Sequence, residues 1–520
     1  MNVATILREQ AARTPDTAAI IDLSSGRERL VSFSALDRAA SHVAGTLARS
    51  GIRPGDAVLV LVPMSSELYV ALAGIFRSGA IAMFLDPSAG LEHIARCCAL
   101  RAPAALIASS KALWLRAISP SLARIPKAFD ARALCRHVRD ERAELHERSP
   151  ASSGGALLTF TSGSTGAPKA ALRSHGFLGA QLDALRQSLE LAQGGVDVAT
   201  MPIVLLANLA CGVTSLVSSA DLRKPGRADP AVLAAEIDRY RATSIVASPA
   251  LLEHLADHRR RGGGIFGTLR KVFGGGAPVF PRLLDALCAV APHAEVVAIY
   301  GSTEAEPIAH LRARDVGDAD RSAMQSGKGL LAGLPVPSIS LKIVRVRWGA
   351  PLGPLTPGQL AALECAAGEA GEIVVSGAHV LPGYLDGRGD EETKTRVGER
   401  VWHRTGDLGS ADERGRLWLL GRCAAKIEDS RGALYPFAVE CAASFAPEVR
   451  RSAVLGTAQR RVLAVELAAG ADRETVAARL RARLAWAELD DIVALPKIPV
   501  DKRHNAKVDY PALQRVLERS

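Results

Sequence analysis

Aromatic side chains are scarce: Phe, Trp and Tyr together make up 4 % of the 520 residues. A nucleic-acid binder that works by base stacking wants aromatics interleaved with a dense basic stripe. The basic residues here are scattered instead, with Arg259–Arg261 as their tightest cluster. The 64 Lys and Arg against 54 Asp and Glu leave a net charge of +10, a mild excess that suits attraction of small anions better than a nucleic acid. No CxxC pair occurs among the eight cysteines (Cys97, Cys98, Cys135, Cys211, Cys288, Cys365, Cys423, Cys441) and no histidine cluster accompanies them, which argues against a zinc site. Scattered cysteines in a chain of this length point to a reduced, cytoplasmic protein. The opening MNVATILREQAARTPD has neither the apolar core nor the cleavage site of a secretory leader and reads as a helix. One stretch, Asp197–Asp221, holds no charge between its ends and is long enough to span a bilayer. Pro202, Asn208, Gly212, Thr214 and a run of serines interrupt it, so a buried strand, turn and helix is expected there instead. No repeat of solenoid period is present.

What is abundant is an ordinary core. Apolar residues at 48 % and charged residues at 23 % are globular values, and the length suggests about three units of roughly 150 residues. Short β-branched runs alternate with longer Ala/Leu-rich stretches. Ala57–Val62 reads as a buried strand, Ser65–Arg77 as a helix and Ala80–Leu85 as the next strand; the rhythm returns at Ser244–Ala247, Lys271–Phe273 and Val296–Ile299. Strands without polar alternation, separated by helices, predict mostly parallel sheets covered on both faces. After Gly371, Gly/Asp-rich turns separate short strands (Glu372–Ser376, Arg416–Leu420), the pattern of a smaller, more antiparallel sheet, and a compact α+β segment closes the chain.

The strongest local signal is Leu158–Lys169, LTFTSGSTGAPK. A β-prone run enters a loop in which Gly163 and Gly166 can turn backbone N–H groups toward one spot. Thr161, Ser162, Ser164 and Thr165 add hydroxyl donors and Lys169 adds a cation, which together make a cradle for polyphosphate. It is not a Walker A loop, because Pro168 precedes the lysine and Ala170 follows it. It is not a GxSxG elbow either, because Ser162 stands where the first glycine belongs.

That string resembles the phosphate-binding signature of the AMP-forming adenylating enzymes: acyl-CoA synthetases, firefly-type luciferases and peptide-synthetase adenylation domains. The family's other motifs follow in order: Lys271–Pro278 (KVFGGGAP), Tyr300–Glu304 (YGSTE), Gly371-Glu372-Ile373, Gly383-Tyr384, Arg404–Asp407 (RTGD), Gly421-Arg422 and Pro499–Lys507 (PVDKRHNAK). Gly51–Val58 (GIRPGDAV) and Gly79–Pro87 (GAIAMFLDP) fit as well. The resemblance implies an α/β fold with a large N-terminal domain, residues 1–421, made of two doubly wound subdomains and a small β subdomain. It also implies a hinge at 422–426 and a mobile C-terminal α+β lid at 427–520. It implies ATP and Mg²⁺ as cofactors and a carboxylic acid as substrate. Glu304 would hold the Mg²⁺, Thr303 and the Thr161–Lys169 loop the phosphates, and Gly275, Gly276, Ala277, Pro278, Gly301, Ser302 and a stacking Tyr300 the adenine end. Asp407 would take the ribose hydroxyls with support from Arg422, and Lys507 would bridge the carboxylate and the α-phosphate. Gly274, Ile203 and Leu206 are candidate walls of the acid pocket.

Shorter strings resemble one branch more closely, the olefin-pathway β-lactone synthetases, often called fatty-acid–CoA ligases. They are RHNAK at Arg503–Lys507, TEAEPIA at Thr303–Ala309, Trp402-His403-Arg404 before the TGD, and KALWLRAIS at Lys111–Ser119. That branch adenylates a β-hydroxy fatty acid, and the β-hydroxyl then closes a four-membered lactone with loss of AMP. Transfer of the acyl group to CoA or a carrier protein is the alternative fate, and a catalytically silent nucleotide-binding relative the distant one. Three departures bear on the choice. Ala424 stands where many relatives carry Asp or Lys at the hinge, and Ala506 replaces the glycine before the lysine. The loop expected at Met201–Gly212 lacks the aromatic or His that many acyl-CoA synthetases place near the acyl carbonyl.

Overall fold

The computed structural model describes residues 2–85, 90–135, 151–162 (backbone alone at 161–162), 168–223, 225–345, 348–457, 460–501 and 507–518. Contacts divide the chain into two interleaved units: Met1–Ala220 with Ala235–Val246 and Ala378–Asp390, and Asp221–Ala234 with Ala247–Gly377 and Glu391–Ser520.

The first unit holds two mostly parallel sheets. One runs, in spatial order, Lys127–Asp130, Ala105–Ala108, Ala57–Leu61, Ile81–Phe84, Gly155–Ser162 and Pro168–Ser174. Every neighbour in it is parallel except the last hairpin. Ala57–Leu61 is buried at all five positions, which is why it carries no polar alternation; each buried Val or Leu contributes roughly 1.5–3 kcal/mol. The helix Ser66–Ser78 follows and ends on Gly79, whose φ of 77° only glycine adopts freely. The second sheet of this unit orders Arg29–Ser32, Ala18–Asp22, Thr214–Val217, Val196–Ala199 and Ser244–Ala247, parallel but for its Arg29–Ser32 edge.

The charge-free stretch is a strand, helix and strand: Val196–Ala199, Pro202–Cys211 and Thr214–Val217. Met201–Gly212, read from the sequence as a loop, is therefore corrected to a helix. Pro202 starts it and Gly212, at φ 74°, stops it. The Asn208 amide donates to Asp197 Oδ2 (2.9 Å) and Ser215 Oγ (3.1 Å), so this polar residue belongs to a buried network rather than to a turn. Among the described residues no helix is long and apolar enough to cross a membrane.

In the second unit Lys271–Gly274 lies parallel to Glu295–Ser302. From there every pairing is antiparallel through Ala305–Arg312, Leu330–Pro335, Leu417–Arg422, Arg400–Ala411, Gly371–Ser376 and Ser340–Val344. The antiparallel region thus begins at Ala305, well before the Gly371 suggested by turn composition, because the hairpin after Ser302 reverses the chain inside one sheet. The C-terminal segment is α+β, with Val449–Thr457, Arg460–Leu467 and Asp491–Leu495 as a sheet and the helices Pro436–Ser444, Arg473–Arg483 and Tyr510–Leu517.

Candidate active site

The glycine-rich loop is carried by the hairpin Gly155–Ser162/Pro168–Ser174, in which Thr161 lies opposite Lys169 and Ser162 opposite Pro168. Gly163, Ser164, Thr165 and Gly166 lie outside the described residues. Lys169 is half-buried, its Nζ 5.6 Å from the centre of the Tyr384 ring. Gly389, at φ 89°, lies under the same side chain, where a Cβ would collide with Nζ. Tyr384 is fixed in turn by its backbone N–H, which donates to Asp390 Oδ1 (2.9 Å). The Gly383-Tyr384 motif therefore shelves Lys169.

A second cluster lies in the other unit. Tyr300 is near the end of Glu295–Ser302, and its hydroxyl donates to Asp407 Oδ2 at 2.7 Å. Asp407 stands opposite Arg422 across the pair Arg400–Ala411/Leu417–Arg422, and Arg422 Nε lies 3.1 Å from Asp407 Oδ1. The Asp407 carboxylate raises the Arg422 guanidinium above its ordinary value. Burial first, then Asp407, pushes the Tyr300 phenol well up, so it stays a hydrogen-bond donor. Thr405 locks the turn: its hydroxyl donates to Ile373 O (2.9 Å) and accepts from the Asp407 N–H (3.0 Å). The carboxylate keeps acceptor sites beyond these two bonds.

Thr303 and Glu304 form the turn between Glu295–Ser302 and Ala305–Arg312, both half-buried. Gly301 is needed here because a Cβ would lie 3.1 Å from Ala305 O. Ser302 Oγ is buried without a hydrogen-bond partner among the described residues. The charge of Glu304 acts on both Arg422 and His403. His403 is buried; its Nδ1 lies 3.1 Å from Lys394 Nζ and 3.0 Å from Thr393 O. Burial first, then the Lys394 cation, pushes the imidazole down to about 3, so it is neutral at physiological pH. The sequence reading missed Lys394, because EETKTRV looks like a solvated charge run. The signal was structural: Lys394 pairs with His403 across Lys394–Val397/Arg400–Ala411.

The glycine turn follows Lys271–Gly274. Gly275 N–H donates to Ala247 O (3.1 Å), and a Cβ on it would stand 3.4 Å from Ile299 O, next to Tyr300. Gly276 takes φ 83°, with Ala277 and Pro278 half-buried after it. Gly274 is itself buried, 3.3 Å at Cβ from Leu252 and Val279. Of the acid-pocket candidates, Leu206 is a buried core side chain of Pro202–Cys211 and Ile203 is half-buried. Lys507 is exposed and placed by bonds of its own: its N–H donates to Asp501 Oδ1 and its carbonyl accepts from Asp501 N, both at 2.8 Å.

The family model for AMP-binding enzymes matches residues 7–385. The chain belongs to the AMP-binding enzyme family. This AMP-binding enzyme is 32 % identical over 542 residues to the olefin β-lactone synthetase of Xanthomonas campestris pv. campestris, an alignment covering 98 % of this chain and 96 % of the relative. It is 32 % identical over 549 residues to the olefin β-lactone synthetase of Stenotrophomonas maltophilia, with the same coverage. Its fold is that of ATP-bound MatB from Rhodopseudomonas palustris (TM-score 0.81, 20 % identity, 100 % of this chain and 99 % of that one). It is also that of o-succinylbenzoate coenzyme A synthetase from Bacillus subtilis in complex with AMP (TM-score 0.78, 22 % identity, 99 % and 98 %). The AMP-binding enzyme is an AMP-forming ligase that activates a carboxylic acid. The matched span holds the Gly155–Ser162/Pro168–Ser174 hairpin, the glycine turn, Tyr300 and Glu304; Asp407, Arg422 and Lys507 lie beyond it.

Proposed function

We propose that the enzyme adenylates a β-hydroxy fatty acid and closes the acyl-adenylate to a β-lactone. The observation that supports this reading is the likeness to olefin β-lactone synthetases, which runs through 98 % of this chain and 96 % of theirs. The acid carboxylate attacks the α-phosphorus of ATP and pyrophosphate leaves. The β-hydroxyl oxygen then attacks the activated carbonyl carbon, the carbonyl–AMP bond breaks, the hydroxyl proton is lost, and AMP departs with no need for CoA.

Repulsion between two anions dominates the first step, so its residues are cations and donors. The Thr161–Lys169 hairpin and Thr303 would bind the phosphates. Asp407, held by Tyr300 and Arg422, would accept from the ribose hydroxyls. Tyr300 offers a ring to the adenine while its hydroxyl is committed to Asp407, and the turn Gly274–Pro278 would line the base. Among the described residues no three His, Cys, Asp or Glu form a metal cage. The oxygen donors of Glu304 and Thr303 suit a Mg²⁺ carried mainly by nucleotide phosphates. When bound, that ion would offset phosphate charge. Residues 1–421 would then serve as the ATP- and acid-binding part and 427–520 as a lid turning about 422–426. In this arrangement Arg282 donates to Val449 O (2.6 Å) and Arg450 O (3.2 Å), so turning the lid would break those two bonds. Eight free thiols suit a cytoplasmic site of action.

Mass spectrometry of the products from a long-chain β-hydroxy fatty acid, ATP and Mg²⁺, with and without CoA, tests the reading. A product lighter than the acid by one water and formed without CoA is expected. A CoA thioester formed only with CoA present would make the enzyme an acyl-CoA synthetase instead. The nucleotide cluster has its own test. Asp407→Ala is expected to raise the KM for ATP about tenfold or more, because it removes acceptors for the ribose and the carboxylate beside Arg422. Tyr300→Phe, which keeps the ring and drops one hydrogen bond of about 1 kcal/mol, should raise it roughly fivefold. Steady-state pyrophosphate release at varied ATP distinguishes these from wild type.

A further inference from the structure

Residues 502–506 lie outside the described residues, so what fixes the Cα of Lys507 matters. The residues on either side of them pair as a narrow antiparallel hairpin. Asp509 N–H donates to Pro499 O (3.0 Å), Val500 pairs with Val508, and Asp501 closes the last rung. Asp501 binds both main-chain groups of Lys507, accepting from its N–H at the side chain and donating to its carbonyl from the backbone. Three residues beyond Lys507, the Tyr510 hydroxyl donates to Glu440 Oε1 at 2.7 Å, and Val454 N–H donates to the same oxygen at 3.3 Å. Glu440 lies on Pro436–Ser444 and is 3 % exposed. Burial pushes its carboxyl up to about 8, so near neutral pH it serves as an uncharged acceptor within the core. Tyr510 and Val508 pack against Leu455, Leu495, Ile498 and Leu513, and Asp509 caps the helix Tyr510–Leu517 through Ala512 N–H (2.9 Å). The hairpin is thus tied to the C-terminal core at its base and to Lys507 at its tip.

We propose that Asp501 at the tip and the Tyr510–Glu440 hydrogen bond at the base are positioning residues that set the main chain of Lys507 for the adenylation step. This rests on the reading of Lys507 as the catalytic cation. Neither Asp501 nor Tyr510 touches substrate in this account; each acts through the lysine's backbone. A lysine has four rotatable side-chain bonds, so a Cα free to wander by an ångström would spread the ammonium over a volume too large for efficient catalysis.

The test is pyrophosphate release with a long-chain β-hydroxy fatty acid, together with ATP binding by calorimetry, on the full-length enzyme. Asp501→Ala is expected to lower kcat about tenfold or more with the KM for ATP within about twofold, since only the transition state uses the lysine. Asp501→Asn keeps an oxygen that accepts from Lys507 N–H and should recover most of that loss. Tyr510→Phe removes a single hydroxyl, keeps the fold packed, and should lower kcat about fivefold at unchanged ATP affinity. Wild-type kcat in both Asp501→Ala and Tyr510→Phe, in an enzyme that Lys507→Ala inactivates, would overturn the positioning roles alone. So would parallel losses of kcat, ATP affinity and melting temperature that Asp501→Asn fails to rescue. Full activity in Lys507→Ala would instead remove the reading on which the proposal stands.

Discussion

Lys507→Ala is expected to cut adenylate formation about a hundredfold or more while ATP binds within about twofold of wild type. The magnitude follows from charge. Two unit charges 4 Å apart near a protein surface interact by about 4 kcal/mol, and each 1.36 kcal/mol is a tenfold change in rate, so a fully engaged cation is worth about three decades. Lys507 is exposed, and salt screens an exposed charge, so about two decades is the expectation. The loss should fall on kcat because negative charge gathers between the carboxylate and the α-phosphate only as the reaction proceeds. On the proposed reading, ground-state nucleotide contacts belong to other groups: the cluster in which Tyr300 and Arg422 hold Asp407, and the hairpin that carries Lys169. Lys507→Arg is not expected to restore the rate, since a planar fork cannot replace a compact ammonium in the same gap. Single-turnover pyrophosphate release and calorimetric ATP binding check both halves. A wild-type rate in Lys507→Ala would remove Lys507 from the chemistry.

What could be read in the sequence followed from local rules. Ala57–Leu61 was readable because a strand buried on both faces has no polar alternation to mimic a helix or loop. The strand that enters the glycine-rich stretch was readable because its β-prone run ends at two glycines and four hydroxyl residues, which serve no core purpose at that spacing. Met201–Gly212 was misread because Pro and Gly act as punctuation; here they mark the first turn and the cap of one helix, and the segment between is apolar all round. What could not be read were pairings set by register. The Tyr300 hydroxyl reaches Asp407 across 107 positions only after a hairpin and several antiparallel strands have been laid down. Lys394 meets His403 because Lys394–Val397 and Arg400–Ala411 turn tightly on each other, which places a lysine from an acidic run against a buried ring. Asp501 looked like one charge among several in PVDKRHNAK, and only the rung it closes with Lys507 distinguishes it.

The largest stability effect is expected at the motif arginine itself. Arg404 is buried, and Nε (3.0 Å) and Nη2 (2.7 Å) both donate to Glu372 Oε2, while Nη1 donates to Ala350 O (2.7 Å). Its guanidinium lies 5.7 Å from the Trp348 ring centre. The arginine of RTGD therefore faces the β-sheet core, and the Asp407 end of the motif faces Tyr300 and Arg422. Glu372→Ala would leave a buried guanidinium without its counter-charge, at a cost of about 3–5 kcal/mol. Arg404→Ala would strand the carboxylate and is expected to cost a similar amount. Each should appear as a marked fall in melting temperature. The pair as a whole is a different matter. Burial pushes the Glu372 carboxyl up even with the guanidinium beside it, so the pair meets a substantial desolvation cost. A pair in that balance adds little net stability over packed apolar side chains. Glu372→Leu combined with Arg404→Met is accordingly expected to melt close to wild type, although either change alone is costly, so the coupling between the two positions should nearly cancel the two single costs. Because Thr405 still locks the turn through Ile373 O and Asp407 N–H, the double variant should also keep its KM for ATP. A double variant as unstable as the single ones would mean that the ionic pair itself, rather than the avoidance of a lone buried charge, holds the two strands.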